Sequence, residues 1–416
     1  MIVVRIHLWG QFVGALIEEG GTTSFEYDNK FLANGHSISP LKLPRSDAIF
    51  SFPELARKEA FRGLPGVFAD SLPDRFGNKI VEKILRDRGI DEFSQAQKLL
   101  YVGKRAMGAL EFEPASMTDK FDPLPLDIAQ LVEESRKVIQ GDITTKTAEI
   151  MQVGSTAGGM RAKAVIGWNK NNNEVIHGLG HLPQGFEPWI LKFDGVNQVH
   201  EPWCALEYIY MQLSAQAGIK TPQTRLLTDN KLKHLMIQRF DRVNGQKVHM
   251  HSLGGLIHSD YNDVREIDYK NFISIAKSIG CPSKDIRDLF KRMVFNILAN
   301  NNDDHVKNFS FLMEPNGRWS LSPTYDVTYI QGGPWTQGHQ MTCNGKANGI
   351  TWDDIQAVAD DCSIDQPLLL AQEVVESLSD FSKLAKETGL EAQIIKKVSS
   401  EMNLKILPKR TSQRRS

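Results

Sequence analysis

Residues 300–308 read Asn300-Asn301-Asn302-Asp303-Asp304-His305-Val306-Lys307-Asn308. They follow an apolar helical stretch, 283–300, so the run is a polar loop at a helix end. Four residues separate Asp303 from Asn308. Phosphoryl-transfer sites set a hydroxyl-orienting aspartate and a metal-binding asparagine at this spacing. The aspartate takes or orients the acceptor proton. The neutral amide oxygen binds a metal ion without adding negative charge beside the phosphates. Read alone, the same run also fits an ordinary polar loop. Downstream stands Leu321-Ser322-Pro323-Thr324-Tyr325-Asp326-Val327. Asp326, bounded by apolar residues and a tyrosine, fits a second metal ligand, and equally a turn aspartate after Pro323.

Upstream, Lys192 lies inside the apolar run Trp189-Ile190-Leu191-Lys192-Phe193, a strand pattern. A buried ammonium costs several kcal/mol unless paired, and nucleotide phosphates would pair it. A strand-edge lysine reaching solvent is the other reading. Glu207, in a helix expected from about 202 to 217, is a natural ion-pair partner. Before the lysine runs Gly154-Ser155-Thr156-Ala157-Gly158-Gly159, small enough for backbone N–H groups to approach an anion. It matches neither common phosphate-loop pattern, so a flexible turn fits it too. Ser155 and Thr156 add hydroxyls that can touch phosphate or accept it. The order is what counts: glycine loop, strand lysine, helix glutamate, Asp303, Asn308, Asp326.

The rest of the chain frames this series. The 416 residues suffice for two or three domains, with 41% hydrophobic and 24% charged residues, as in ordinary globular proteins. A formal net charge of −1 argues against broad nucleic-acid binding by the chain itself. The basic end at Lys409, Arg410, Arg414 and Arg415 reads as a solvated tail before a DNA contact. Four scattered cysteines without a CxxC pair suit reduced thiols in a cytoplasm. No apolar run is long enough to span a membrane, and the N-terminus alternates like a strand.

Residues 1–115 open with short strands and turn helical near Pro53, with Pro73 marking a helix start before 78–90. A linker is expected at 115–127, a helix at 128–140, then strands at 161–168, 174–179, 189–193 and 234–240. The remainder reads as helices at 268–280, 283–300, 353–360, 365–388 and 390–403, with short strands only at 309–330. This gives three parts: an N-terminal subdomain at 1–115, a nucleotide-binding region at 116–245 and a helical part at 246–416.

The chain resembles the HipA family, the kinase toxins of bacterial toxin–antitoxin pairs. The resemblance covers nearly the whole length and is most specific in Asn302-Asp303-Asp304-His305-Val306-Lys307-Asn308-Phe309-Ser310 and in Leu321 to Val327. Gly158-Gly159-Met160-Arg161-Ala162-Lys163-Ala164, Arg239-Phe240-Asp241-Arg242 and Leu72-Pro73-Asp74 also match. It implies an α+β, two-lobed protein-kinase-like fold with an added N-terminal β-containing subdomain and a mostly helical C-terminal lobe. It implies ATP and Mg²⁺ as cofactors, Asp303 as catalytic base, and Asn308 and Asp326 on the metal. Lys163, Lys192, His305, Lys307 and the glycine loop would then line the nucleotide. Backbone groups of Leu235, Met236 and Ile237, after His234, would hold adenine.

The resemblance further implies autophosphorylation of a loop serine, here Ser155, with Thr156 the competitor because the loop is longer by about one residue than in some family members. Asp194 and Gly195 stand where the family more often has a proline. The implied partners are a HipB-like helix-turn-helix antitoxin carrying most operator-DNA recognition, and a protein substrate such as an aminoacyl-tRNA synthetase. A small-molecule kinase and a non-catalytic scaffold beside a DNA-binding repressor are the alternative readings.

Overall fold

Apolar residues at every second position make strands of the N-terminus. In Ile2–Leu8, Val4, Ile6 and Leu8 are buried while Val3 is exposed. This strand pairs antiparallel with Gln11–Glu19, Ile6 opposite Gly14, and with Leu110–Glu113, Arg5 opposite Glu113. Thr22–Tyr27 and Phe50–Ser51 complete a five-stranded antiparallel sheet. Gly14 answers a close approach: a Cβ there would lie 2.1 Å from the Glu26 carbonyl oxygen.

The computed structural model describes residues 1–90, 93–115, 125–151, 161–196, 202–229 and 231–408. They form two compact units. The first comprises Met1–Ala205, Pro222–Asn262 and Phe309–Ser322; the second comprises Leu206–Thr221, Asp263–Asn308 and the chain from Pro323 onward.

In the first unit the helix expected over 78–90 runs from Arg75 to Asp87. Asp74, not Pro73, sets its start, because the carboxylate accepts the otherwise orphaned Gly77 N–H at 2.6 Å. Phe76 and Ile80 of this helix join Leu131, Val132 and Val138 of the helix Ile128–Gln140 in one core. That core lies against a second five-stranded antiparallel sheet, ordered Val175–His177, Lys163–Trp168, Glu187–Lys192, Leu232–Gln238, Thr224–Asp229. Alternation decides which side chains face the helices: Ala164, Ile166 and Trp168 on one strand, Trp189 and Leu191 on the next. Thr224–Asp229 escapes sequence reading because it is a sheet edge whose residues are mostly half-buried, which blurs the alternation. A third sheet, His249–Ser252, Ser310–Met313 and Trp319–Leu321, contains the short strands expected between 309 and 330.

A buried ion cluster fixes the segment after the second sheet. Arg239 grips Asp241 with two hydrogen bonds, Nε at 2.9 Å and Nη2 at 2.7 Å. Arg242 Nη1 reaches the same carboxylate at 2.7 Å, and the Gly108 N–H donates to it at 2.8 Å. Arg242 also donates to the carbonyls of Gly108 and Ala106. Burial alone would push the Asp241 carboxyl up; the two guanidiniums outweigh it and hold the group far below the ordinary carboxylate range. The depressed group contributes stability above its unfolded-state value, near pH 4, and loses it as pH falls further. Asp241→Asn leaves two guanidiniums facing an amide and is expected to destabilise the first unit by about 3–5 kcal/mol. A lower urea midpoint at pH 7 checks this, and an unchanged midpoint would refute it.

The second unit is mostly helical. Ser283–Ala299 runs through it, with Leu289, Phe290, Met293, Val294, Phe295 and Leu298 all buried. Tyr210 packs edge-on against Phe295 and Phe381 and donates to the Ala299 carbonyl at 2.8 Å. Around them lie Tyr269–Ser278, Trp352–Asp361, Pro367–Ser379, Phe381–Glu387 and Ala392–Glu401. The helix expected at 365–388 is therefore two, broken at Asp380, whose carbonyl accepts the N–H groups of Lys383 and Leu384.

Candidate active site

The long helix of the second unit ends at Asn300, which takes the left-handed conformation with φ 53° and ψ 45°. Asparagine tolerates this better than most side chains, so the chain turns sharply into the loop that follows. A parallel bridge holds the loop's start: Ile330 N–H donates to Asn300 O and Asn302 N–H to Ile330 O, each at 3.1 Å.

Within this loop Asn308 Nδ2 donates to the Asp303 carbonyl at 2.8 Å. A carbonyl only accepts, so the nitrogen end of the amide must face it, and Asn308 Oδ1 is the end that could serve a cation. His305 Nδ1 accepts from the Lys307 N–H at 3.2 Å. Its proton therefore sits on Nε2, 3.9 Å from Asp303 Oδ1. Tyr325 donates from its hydroxyl to the Lys307 carbonyl at 2.9 Å, tying the turn before Asp326 to the same loop. Asp326 itself has φ 52°, a strained conformation for its residue type that recurs at functional sites. An amide oxygen and a carboxylate are hard donors that suit Mg²⁺, which keeps water and phosphate oxygens for its remaining positions. Among the described residues no cluster of three or more His, Cys, Asp or Glu forms an all-protein metal cage.

In the first unit Lys192 and Lys163 are direct partners across adjacent antiparallel strands, and both are buried. Residues opposite each other share a face, so two ammonium groups lie side by side, which is unfavourable without anions. Asp74 supplies one, its Oδ2 standing 3.0 Å from Lys163 Nζ. The helix cap thus also answers a lysine of the sheet, a role the sequence signals only as an Asp next to proline. On its other side Lys192 pairs with Leu235. Leu235, Met236 and Ile237 are ladder-paired on both edges, to residues 190–192 and 224–226. Their backbone N–H and C=O groups are therefore engaged within the sheet. Asp194 has a local reason: its N–H donates to His234 Nδ1 at 3.0 Å, and its Oδ2 accepts from the Lys233 N–H at 3.3 Å.

Glu207 is buried in the helix Trp203–Gln216 and belongs to the second unit, whereas Lys192 belongs to the first. Ser155, Thr156, Ala157, Gly158 and Gly159 lie outside the described residues, as do 116–124 of the expected linker and the basic end from Lys409.

Sequence reading passed over Asp304, hidden beside the more conspicuous Asp303. Its Oδ2 accepts from the Tyr269 hydroxyl at 2.7 Å and faces His339 Nδ1 at 3.0 Å; its Oδ1 accepts from the Gln340 N–H at 2.7 Å. Asn296 donates to the Tyr269 oxygen, and Asn301 to Asn296. Asp304 is buried while Asp303 is half-exposed, so one of two adjacent acids anchors the loop and the other meets solvent.

An α+β, kinase-like fold with this loop defines a class, and comparison with known proteins identifies it. Residues 4–113 match the HipA N-terminal domain and residues 155–404 the HipA-like C-terminal domain. The chain belongs to the HipA family. It is similar to a protein of Haemophilus influenzae named "Putative kinase", 29% identical over 177 residues, 35% of this chain and 52% of that one. It is also similar to the serine/threonine-protein kinase toxin HipA of Shewanella oneidensis, 28% identical over 145 residues, 30% of this chain and 33% of that one. The chain thus matches about half the length of the first relative and a third of the second. Among solved structures, the Shewanella oneidensis HipA, HipB and operator DNA complex matches with TM-score 0.68 at 17% identity, over 95% of both chains. That likeness establishes the fold. No helix among the described residues is long and apolar enough to cross a membrane.

Proposed function

We propose that the protein is an ATP- and Mg²⁺-dependent serine/threonine protein kinase acting as the toxin of a toxin–antitoxin pair. The observation that carries this is the loop of the second unit. Asp303, half-exposed, has its carbonyl held by the Asn308 amide, and Tyr325 binds the turn of Asp326 to that loop. Asp303 accepts the acceptor's hydroxyl proton, with His305 Nε2 standing 3.9 Å from the carboxylate. Asn308 Oδ1 and Asp326 hold Mg²⁺, which when bound neutralises charge on the phosphates. In the first unit, taken by itself, the buried, paired Lys163 and Lys192 offer cations suited to a phosphate chain, Lys163 partly neutralised by Asp74.

Family membership supports the finer parts of the reading. The acceptor is a protein of the translation apparatus such as an aminoacyl-tRNA synthetase, and the enzyme also phosphorylates itself at Ser155 or Thr156. A HipB-like helix-turn-helix antitoxin is the partner, supplying operator-DNA contacts to a chain of net charge −1. The test is intact mass after incubation with Mg²⁺ and ATP. A gain of one phosphate, mapping to Ser155 or Thr156, is the expected result. Absence of both ATP binding and mass gain would sink the kinase reading.

A further inference from the structure

The last carbonyls of a helix find no partner within it. Those of Ser283–Ala299 are met by residues about the end of the helix Ala392–Glu401. Asn403 N–H donates to the Leu298 carbonyl at 2.9 Å. Asn300, where the long helix turns into the candidate loop, donates from Nδ2 to the Glu401 carbonyl, across 101 positions of sequence. The carboxylate of the same Glu401 accepts from the Tyr329 hydroxyl. One turn earlier, Lys397 Nζ faces the Tyr329 ring, 5.7 Å from its centre. Ile395 and Val398 are buried and seat this helix. All these groups belong to the second unit.

Glu401 therefore touches both arms of the candidate site. Asn300 stands three residues before Asp303, and Tyr329 three residues past Asp326. The arms also meet directly, through the two backbone bonds that join Asn300 and Asn302 to Ile330. Glu401 adds a second fastening between the same arms, and its ionised carboxylate makes the tyrosine bond the stronger, charge-assisted kind. Burial, with that carboxylate beside it, pushes the Tyr329 hydroxyl well above its ordinary value, so it stays a donor at neutral pH. Reacting groups misplaced by about 1 Å can lose on the order of 10²-fold in rate, so a residue far from the chemistry can govern it. We propose that Glu401 is a positioning residue of the kinase site, fastening the arm of Asp303 to the arm of Asp326 and so coupling the helix Ala392–Glu401 to the rate of phosphate transfer. The proposal rests on the kinase reading above and names how that site is regulated: lifting the end of this helix slows transfer.

The test uses the full chain, dephosphorylated beforehand, with Mg²⁺ and ATP. Wild type, Glu401→Ala, Glu401→Gln, Tyr329→Phe and the Glu401→Ala, Tyr329→Phe double variant are compared. The self-phosphorylation rate at saturating ATP is taken per ATP-binding site, counted by calorimetry, so that a smaller folded fraction does not pass for a slower enzyme. Glu401→Ala keeps its backbone carbonyl for Asn300 and loses the acceptor for Tyr329. It is expected to transfer about tenfold or more slowly, with ATP affinity within about twofold. Tyr329→Phe should match it, and the double variant should be no slower than either single one, the sign of one shared interaction. Glu401→Gln still accepts from the hydroxyl and should recover most of the rate. Hydrogen exchange over 300–303 and 326–330 should quicken in Glu401→Ala, a readout independent of transfer. A parental rate per site in Glu401→Ala overturns the proposal, as do additive losses in the double variant or a Glu401→Gln protein as slow as Glu401→Ala. If wild type transfers no phosphate, the kinase reading falls. Unaltered exchange over both segments in Glu401→Ala sinks the fastening whether or not the kinase reading stands.

Discussion

Asp303→Asn is expected to fold as the parent does, bind Mg²⁺ and ATP, and transfer phosphate about 10²–10⁴-fold more slowly, the range for loss of a positioned general base. The fold survives because the bond that shapes the loop uses the Asp303 backbone carbonyl, not its carboxylate. The carboxylate is half-exposed, and an amide fills the same volume. Two measurements separate the effects: phosphate gain by intact mass, and ATP binding by calorimetry. Binding retained with transfer lost assigns the proton-accepting role to Asp303. Transfer at the parental rate would move that role elsewhere, with His305 the nearest candidate.

Lys192→Met is expected to fail differently. Its strand position is opposite Lys163, which Asp74 already answers, and on the kinase reading phosphate oxygens would offset the remaining repulsion. Methionine fills the strand position without the charge, so the nucleotide loses a contact it makes both before and during transfer. Transfer should fall about 10²–10³-fold, the cost of removing one preorganised electrostatic partner. Unlike Asp303→Asn, this variant should also bind ATP more weakly in calorimetry. A Lys192→Met protein with parental ATP affinity would place the phosphate cation at Lys163 instead.

The elements with strong periodicity could be read from the sequence. Ser283–Ala299 and Ile128–Gln140 repeat apolar residues at helical spacing, and Lys163–Trp168 and Glu187–Lys192 are dense apolar runs. The Asp303, Asn308 and Asp326 series stands out in the sequence because metal and proton chemistry would demand particular residue types at fixed separations. What escaped depends on contacts distant in sequence. Asp74 meets Lys163 across 89 residues, and Asp304 meets His339 across 35. Neither link leaves a local pattern. The central placement of Leu235 to Ile237 likewise follows from the edge strand Thr224–Asp229, whose half-buried residues carry no clear alternation.

The left-handed backbone of Asp326 bears on the heredity of this chain. Glycine reaches that conformation without strain, and asparagine with less strain than most residues. Either replacement removes the carboxylate, and a single nucleotide change converts an aspartate codon into one for glycine or asparagine. Asp326→Gly should therefore raise the urea midpoint of the second unit, by an amount equivalent to about 1 kcal/mol, while abolishing phosphate transfer. On the kinase reading, loss of activity here lies one mutation away. On that reading the backbone at Asp326 suits best a residue that the chemistry cannot use.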